Sequence, residues 1–227
     1  MNDLLAGLSV WALPVLLAIT LHEAAHGFAA EAMGDDTARR LGRVSLNPLR
    51  HVDPFGTIIL PGLLLAAGGI LFGWAKPVPV DFSRLRPLRF GMIVVAAAGP
   101  AVNLLLAAVA VLGFWLVPLV PEAGQGWLFD NLRNALFINL LLAVFNMLPI
   151  PPLDGGRVLT GLLPPALGWR LAQLERVGLL LVLLGLFVLP LLAEQIGLTF
   201  DPLGALVDGP VDTLARFLVQ ALAPCGA

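Results

Sequence analysis

Long apolar runs separated by short polar segments dominate the sequence. A helix needs roughly 20 apolar residues to cross a bilayer core, and a run of about 18 is near the minimum. The pattern predicts an all-α polytopic integral membrane protein with about four full transmembrane helices and one further run that re-enters or crosses as a fifth. The apolar runs cover approximately residues 8–33, 55–72, 92–117, 132–148 and 177–192.

The polar segments on both sides of the run at 55–72 are basic. Four arginines lie between 35 and 53, and one lysine and three arginines lie between 73 and 90. Because Lys and Arg accumulate on the cytoplasmic side of a membrane, both segments are expected there. That favours a re-entrant hairpin for 55–72, although its length would allow a crossing. The acidic loop at 118–130 is expected on the opposite side.

Two proline-rich stretches cannot be continuous helix. At 76–80, Pro77 and Pro79 allow only extended or turn-like backbone, so a short edge strand is possible there. At 146–157, three prolines and two glycines interrupt the end of an apolar run. Non-helical backbone at membrane depth is tolerated only where protein buries it or where it lines a wet cavity. The second stretch therefore marks a place where a site could be built.

The composition agrees with a membrane location. Of 227 residues, 59% are hydrophobic and 12% are charged, about half the charged fraction of a soluble domain. We expect a single membrane-embedded domain over 1–227, with no separate soluble domain. A net charge of −2 gives no support for nucleic-acid binding. Cys225 has no partner for an internal disulfide, and the N-terminus lacks the basic region of a signal peptide.

The pattern with the clearest chemistry is an H-E-x-x-H sequence in the first apolar run, formed by His22, Glu23 and His26. Residues four apart on a helix share a face, so both imidazoles can reach one zinc ion. Glu23, rotated about 100° from His22, is placed beside the metal as a candidate general base. Ionisable side chains in so apolar a segment are costly and indicate function. A chance motif on a solvated helix face is disfavoured because the desolvated groups would need other partners.

A catalytic zinc site normally has three protein ligands and one open position. No third histidine lies in an apolar run, and His51, beside Asp53 in a polar loop, is better explained by turn chemistry. Glu31 lies too far along the motif helix. Asp154, in the interrupted segment, can bend its carboxylate into a cavity and is the preferred third ligand. Its alternative role is a helix cap before Gly155.

Taken together, these motifs resemble the site-2 proteases, a family of intramembrane zinc metalloproteases. The small bacterial branch, which lacks PDZ and CBS domains, is the most similar. The similarity extends from about residue 20 to about residue 160. It rests on the H-E-x-x-H sequence, the Gly-Pro-Ala-Val-Asn sequence at 99–103, the segment at 146–156, and the stretches at 42–48 and 73–80.

The resemblance implies one catalytic zinc ion bound by His22, His26 and Asp154, with Glu23 as the catalytic base. It also implies transmembrane segments of membrane proteins as substrates, a bacterial inner membrane, and an active site toward its cytoplasmic half. A substrate strand is expected to contact Asn146, Pro149 and Pro152, with Asn103 as a further hydrogen-bond donor.

Two other classes of protein remain as alternatives. A metal or ion transporter would usually show polar residues on several spans or an inverted repeat, and neither is visible. An inert membrane scaffold that binds helices would use a structural zinc site with four protein ligands, and the sequence offers no clear fourth ligand.

Overall fold

The structure is a computed structural model, and it describes residues 2–59, 63, 76–195, 197 and 202–223. Helices dominate these residues, and no strand occurs among them. The short edge strand considered at 76–80 is therefore not formed: residues 76–81 are irregular. The Val78 N–H, which an edge strand would use for its ladder, instead donates to the Glu23 carboxylate at 2.7 Å.

Three long helices form the centre of the protein: α1 (Asn2–Ala32), α3 (Leu88–Gly113) and α4 (Glu122–Asn146), with a short α2 (Thr37–Arg40) after the first. Each of the long helices is apolar enough to span a membrane. They pack against one another in all three pairs. Small buried residues such as Ala18, Ala96 and Gly99 allow this close approach.

The remaining helices surround this bundle. They are α5 (Asp154–Leu162), α6 (Pro165–Gln173), α7 (Glu175–Leu183), α8 (Leu189–Gln195) and α9 (Pro202–Leu222). Helix α9 contributes Val207 and Val211 to an apolar cluster with α3 and α4.

The predicted fourth span at 177–192 is helical but interrupted. A π-helical segment, Leu184–Val188, separates α7 from α8. Pro190 lacks the N–H that a continuous helix would use there. Within the described residues, α1, α3 and α4 are the helices found long and apolar enough to cross a membrane.

The polar segment after α1 packs against the segment that leads into α3. Gly34, with φ of 101°, ends α1, and its left-handed backbone is one that glycine adopts without strain. The Asp35 carboxylate then accepts a hydrogen bond from the Asp81 N–H at 2.7 Å. The Arg86 N–H donates to the Met33 carbonyl at 2.8 Å. Both polar segments therefore lie at the same end of the bundle.

The described flanks of the apolar run at 55–72 lie together at this same end. The Lys76 N–H donates to the His51 carbonyl at 2.9 Å, which joins the two flanks of the run. The hairpin interpretation of the run itself stays a prediction. The run begins in a π-helical segment, Pro54–Ile59, and apart from residue 63 the rest of it lies outside the described residues.

The proline-rich segment after α4 turns back so that α5 begins at Asp154. A Cβ on Gly155 would lie 2.2 Å from the Met147 carbonyl oxygen, and one on Gly156 would lie 2.4 Å from the Pro151 nitrogen. The two glycines therefore allow the segment to fold against the first turn of α5. Asp154 is buried at this junction, 7% exposed.

We predict that both basic segments are accessible from one side of the membrane. In a Cys225→Ser background, single cysteines at Leu41 and Ser83 should react with an impermeant thiol reagent from the same side, because their segments are hydrogen-bonded together. A cysteine at Glu122, at the start of α4, serves as the control and should react from the opposite side. Labelling of positions 41 and 83 from opposite sides would contradict this topology.

Candidate metal centre

The structure brings Asp154 to His22 and His26, although more than a hundred residues separate it from them in the sequence. The two Nε2 atoms are 3.0 Å apart. Asp154 Oδ2 lies 3.3 Å from His22 Nε2 and 3.4 Å from His26 Nε2. Within the described part of the chain, this is the one group of three or more His, Cys, Asp or Glu side chains with ligand atoms so close.

The centre lies inside the bundle rather than on its surface. His22 and His26 are about 15 Å and 9 Å along the helix axis from the end of α1, from the rise per residue. The relative exposure of His22 is 7%, the same as that of Asp154. The site is therefore surrounded by apolar helices and lies nearer the end that carries the basic segments.

Three observations show that these residues fit a metal ion. Ligand atoms on a tetrahedral zinc ion, each bonded at about 2.0–2.1 Å, are about 3.3 Å apart, close to the spacing found here. Asp154 Oδ2 is buried and makes no hydrogen bond of acceptable geometry, so it is an acceptor without a donor. A Cβ on Gly99 would lie 2.5 Å from His26 Nε2 and 2.6 Å from His22 Nε2. The glycine thus leaves a hollow beside both nitrogens.

The opposite nitrogen of each histidine is held by α3. His22 Nδ1 is 2.5 Å from Asn103 Oδ1, and His26 Nδ1 is 2.7 Å from the Val95 carbonyl oxygen. Both oxygens can only accept, so each Nδ1 carries the hydrogen and donates it. Each Nε2 is then left with a lone pair directed at the centre, which is the tautomer that a metal ligand needs.

Asn103 lies in a different place from the one expected of a substrate contact. It is 0% exposed and serves as the partner of His22. Its amide nitrogen donates to Asn139 Oδ1 at 2.8 Å, and Asn139 in turn donates to the Ala135 carbonyl. Sequence reasoning missed Asn139. The available signal was its spacing of seven residues from Asn146, which places both on one face of α4.

The other predicted substrate residues lie around the segment that precedes Asp154. Asn146 is half-buried and donates to the Leu142 carbonyl of its own helix at 3.0 Å. Pro149 is exposed and Pro152 is half-buried. Their contact with a substrate stays a prediction.

The alternative metal ligands lie outside the centre. His51 is buried and its Nε2 is 2.8 Å from the Ser45 carbonyl oxygen, and Asp53 accepts hydrogen bonds from the N–H groups of the following turn. Glu31 forms an ion pair with Arg39.

The carboxylate of Glu23, the predicted base, has a backbone partner from another segment. Glu23 Oε2 accepts a hydrogen bond from the Val78 N–H at 2.7 Å. Glu23 is half-buried beside His22 on α1. This contact could not be predicted from local sequence patterns, because the two residues are 55 positions apart.

Comparison with known proteins shows that the chain is similar to a family of peptidases and to proteins named as zinc metalloproteases. Residues 121–190 match the family model described as Peptidase family M50. YwhC of Bacillus subtilis is 42% identical over 184 residues, 78% of this chain and 79% of that protein. Rip2 of Mycolicibacterium smegmatis is 34% identical over 74% of this chain and 62% of that protein. Both relatives carry the name "Putative zinc metalloprotease". No solved structure matches the chain.

We predict that Asn103→Leu weakens metal binding. The change removes the oxygen that orients His22, and loss of such a partner typically costs about 10- to 100-fold in metal affinity. The affinity is measured by competition with a chromogenic zinc chelator. Asn131→Leu, an equally conservative change at another buried asparagine, is the matched control and should bind zinc normally. Equal zinc affinity for Asn103→Leu and the control would contradict the assigned role.

Proposed function

Because the chain belongs to peptidase family M50, the site-2 proteases, whose cofactor is zinc, we propose that it is an endopeptidase acting within the membrane. Its substrates in this proposal are membrane proteins, cleaved in or next to a transmembrane segment. One observation carries the proposal: a cluster of three metal-ligand side chains, with Glu23 beside it, lies inside a bundle of membrane-spanning helices.

In the proposed mechanism, His22, His26 and Asp154 would hold one zinc ion. A bound zinc ion supplies Lewis-acid chemistry, which activates water and polarises the scissile carbonyl. Glu23 accepts the proton of the attacking water and transfers it to the nitrogen of the leaving amine. Asn103 and the Val95 carbonyl keep both imidazoles in the required tautomer.

The substrate must be locally unwound, since a helix hides its carbonyls. We propose that an extended substrate segment lies along the non-helical segment before Asp154. There Asn146 would donate to the substrate backbone or to the developing oxyanion, and Pro149 and Pro152 would contact the same strand. Substrates with helix-weakening residues near the cytoplasmic end of a span fit this geometry. We also propose a bacterial inner membrane with the centre in its cytoplasmic half, from the basic segments at this end.

The arrangement supports hydrolysis better than the two alternatives. A structural zinc site would need a fourth protein ligand, and the cluster in the described residues has three. A transporter would need a polar path through the bundle. Near the centre, His22, Asn103 and Asn139 are instead joined by a continuous chain of hydrogen bonds.

We predict that Glu23→Gln retains zinc but loses most of the cleavage of a transmembrane model peptide. The amide keeps the size of the side chain but cannot accept the proton, and loss of a general base typically costs about 10²- to 10⁴-fold in rate. Zinc content and cleavage rate are measured on the same purified sample. Glu31→Gln, the same change on the same helix, is the control. Normal cleavage by Glu23→Gln would refute the protease proposal.

Asp154→Asn should have a different effect. A neutral amide oxygen is a poorer zinc ligand, so metal content and cleavage should fall together, and excess zinc should restore part of both. The measurement is activity as a function of free zinc. If Asp154→Asn kept full zinc and full cleavage, Asp154 would be only the start of α5 and not a ligand.

A further inference from the structure

The irregular segment at residues 76–81, here called the strap, passes directly beside Glu23. Its Val78 N–H donates to Glu23 Oε2 at 2.7 Å. Pro77 and Pro79 have no N–H, so Val78 supplies the only backbone donor from position 77 to position 79. The same prolines hold the residues before them in extended backbone. The strap therefore presents a single donor to the carboxylate.

The strap is fixed at both ends by side chains from the segment after α1. At one end, Arg43 Nη2 donates to the Lys76 carbonyl at 2.8 Å and to the Pro77 carbonyl at 3.3 Å. At the other end, the Asp81 N–H donates to the buried Asp35 carboxylate at 2.7 Å. These contacts set the position of Val78 relative to α1.

The strap packs against α1 at Gly27, one helical turn after Glu23. A Cβ at Gly27 would lie 3.0 Å from Val44 Cγ2 and 3.3 Å from Val78 Cγ1. The missing side chain lets Val78 approach the helix closely, and Val78 is buried, 8% exposed. The backbone N–H of Val78 thereby reaches the carboxylate one turn earlier on the same helix.

We infer that Val78 is a positioning residue for Glu23 and acts through its backbone N–H. The inference rests on the proposed function, in which Glu23 is the base. A glutamate side chain has three rotatable bonds, and a charge-assisted hydrogen bond from a fixed donor restricts them. One carboxylate oxygen is held by the strap, and the other takes the proton from water. The strap thus orders the base without contacting the substrate.

The first test is Val78→Pro, which removes the N–H and continues the extended proline run. We expect kcat for a transmembrane model peptide to fall about 10- to 100-fold, the size of a hydrogen bond to a charged group, with KM and zinc content nearly unchanged. Val80→Pro is the matched control. It also replaces a valine that follows a proline. No partner for the Val80 N–H is found among the described residues.

A double-mutant comparison separates positioning from general stability. If Val78 acts through Glu23, Val78→Pro should lower the residual rate of Glu23→Gln by much less than it lowers the wild-type rate. An equal loss in both backgrounds would overturn the inference, because it would show a structural effect. An unchanged or increased kcat in Val78→Pro would also overturn it, since the hydrogen bond to Glu23 would then have no effect on catalysis or would slow it.

The second test does not depend on catalysis, so it remains decisive if Val78→Pro fails to fold or the proposed function is wrong. Hydrogen–deuterium exchange followed by NMR resolves the Val78 and Val80 amides separately, and Pro77 and Pro79 contribute no amide signal. In Glu23→Ala, the Val78 amide should exchange at least about tenfold faster than in wild type, while Val80 is unaffected. Glu31→Ala is the control. Unchanged Val78 exchange would overturn the inference, whereas a wild-type protein that cleaves no peptide would count against the proposed function alone.

Discussion

The arrangement of this protein depends on one constraint: polar side chains inside an apolar helix bundle must find partners within the protein. Burying an unpaired polar group costs several kcal/mol in such surroundings, on the order of 2–7 kcal/mol by transfer measurements. The chain from Asn139 through Asn103 to His22 meets this need for the first histidine, and the Val95 carbonyl meets it for His26. Among the three side chains of the metal centre, Asp154 alone has a buried oxygen without a hydrogen-bond partner, and this Oδ2 is also the atom nearest to both imidazoles.

Glycines make these contacts possible by letting backbone approach side chains. Gly99 lies against both imidazoles, where any side chain would fill the space beside their Nε2 atoms. Gly27 gives the strap its seat on α1, and the pair at 155–156 allows the proline-rich segment to fold onto α5. Each glycine stands next to a functional group rather than in a loop, so its role is steric. The centre is therefore defined as much by absent side chains as by the ligands.

Most of the secondary structure could be predicted from the sequence, because it depends on local features of the chain. The three long helices, the basic segments at one end and the interruption before Asp154 were predicted from apolar run length, charge and proline content, and the structure has them. The edge strand considered at 76–80 is not formed in the described residues. The helix predicted at 177–192 is present but contains a π-helical segment. The strand is not formed because the Val78 N–H that it would use donates to the Glu23 carboxylate. The π-helical segment lies just before Pro190, which has no N–H for the helix.

By itself, the sequence determined what depends on local periodicity. The four-residue spacing puts His22 and His26 on one face of α1 with Glu23 beside them, and the missing third ligand pointed to Asp154. Only the tertiary structure decided which distant groups meet these residues. Asn103 is 81 positions from His22 and bonds its ring instead of facing an open surface, and Val78 is 55 positions from Glu23. Such pairings are set by the rotation and depth at which helices and loops pack, and these are decided by the packing of the whole bundle rather than by neighbours along the chain.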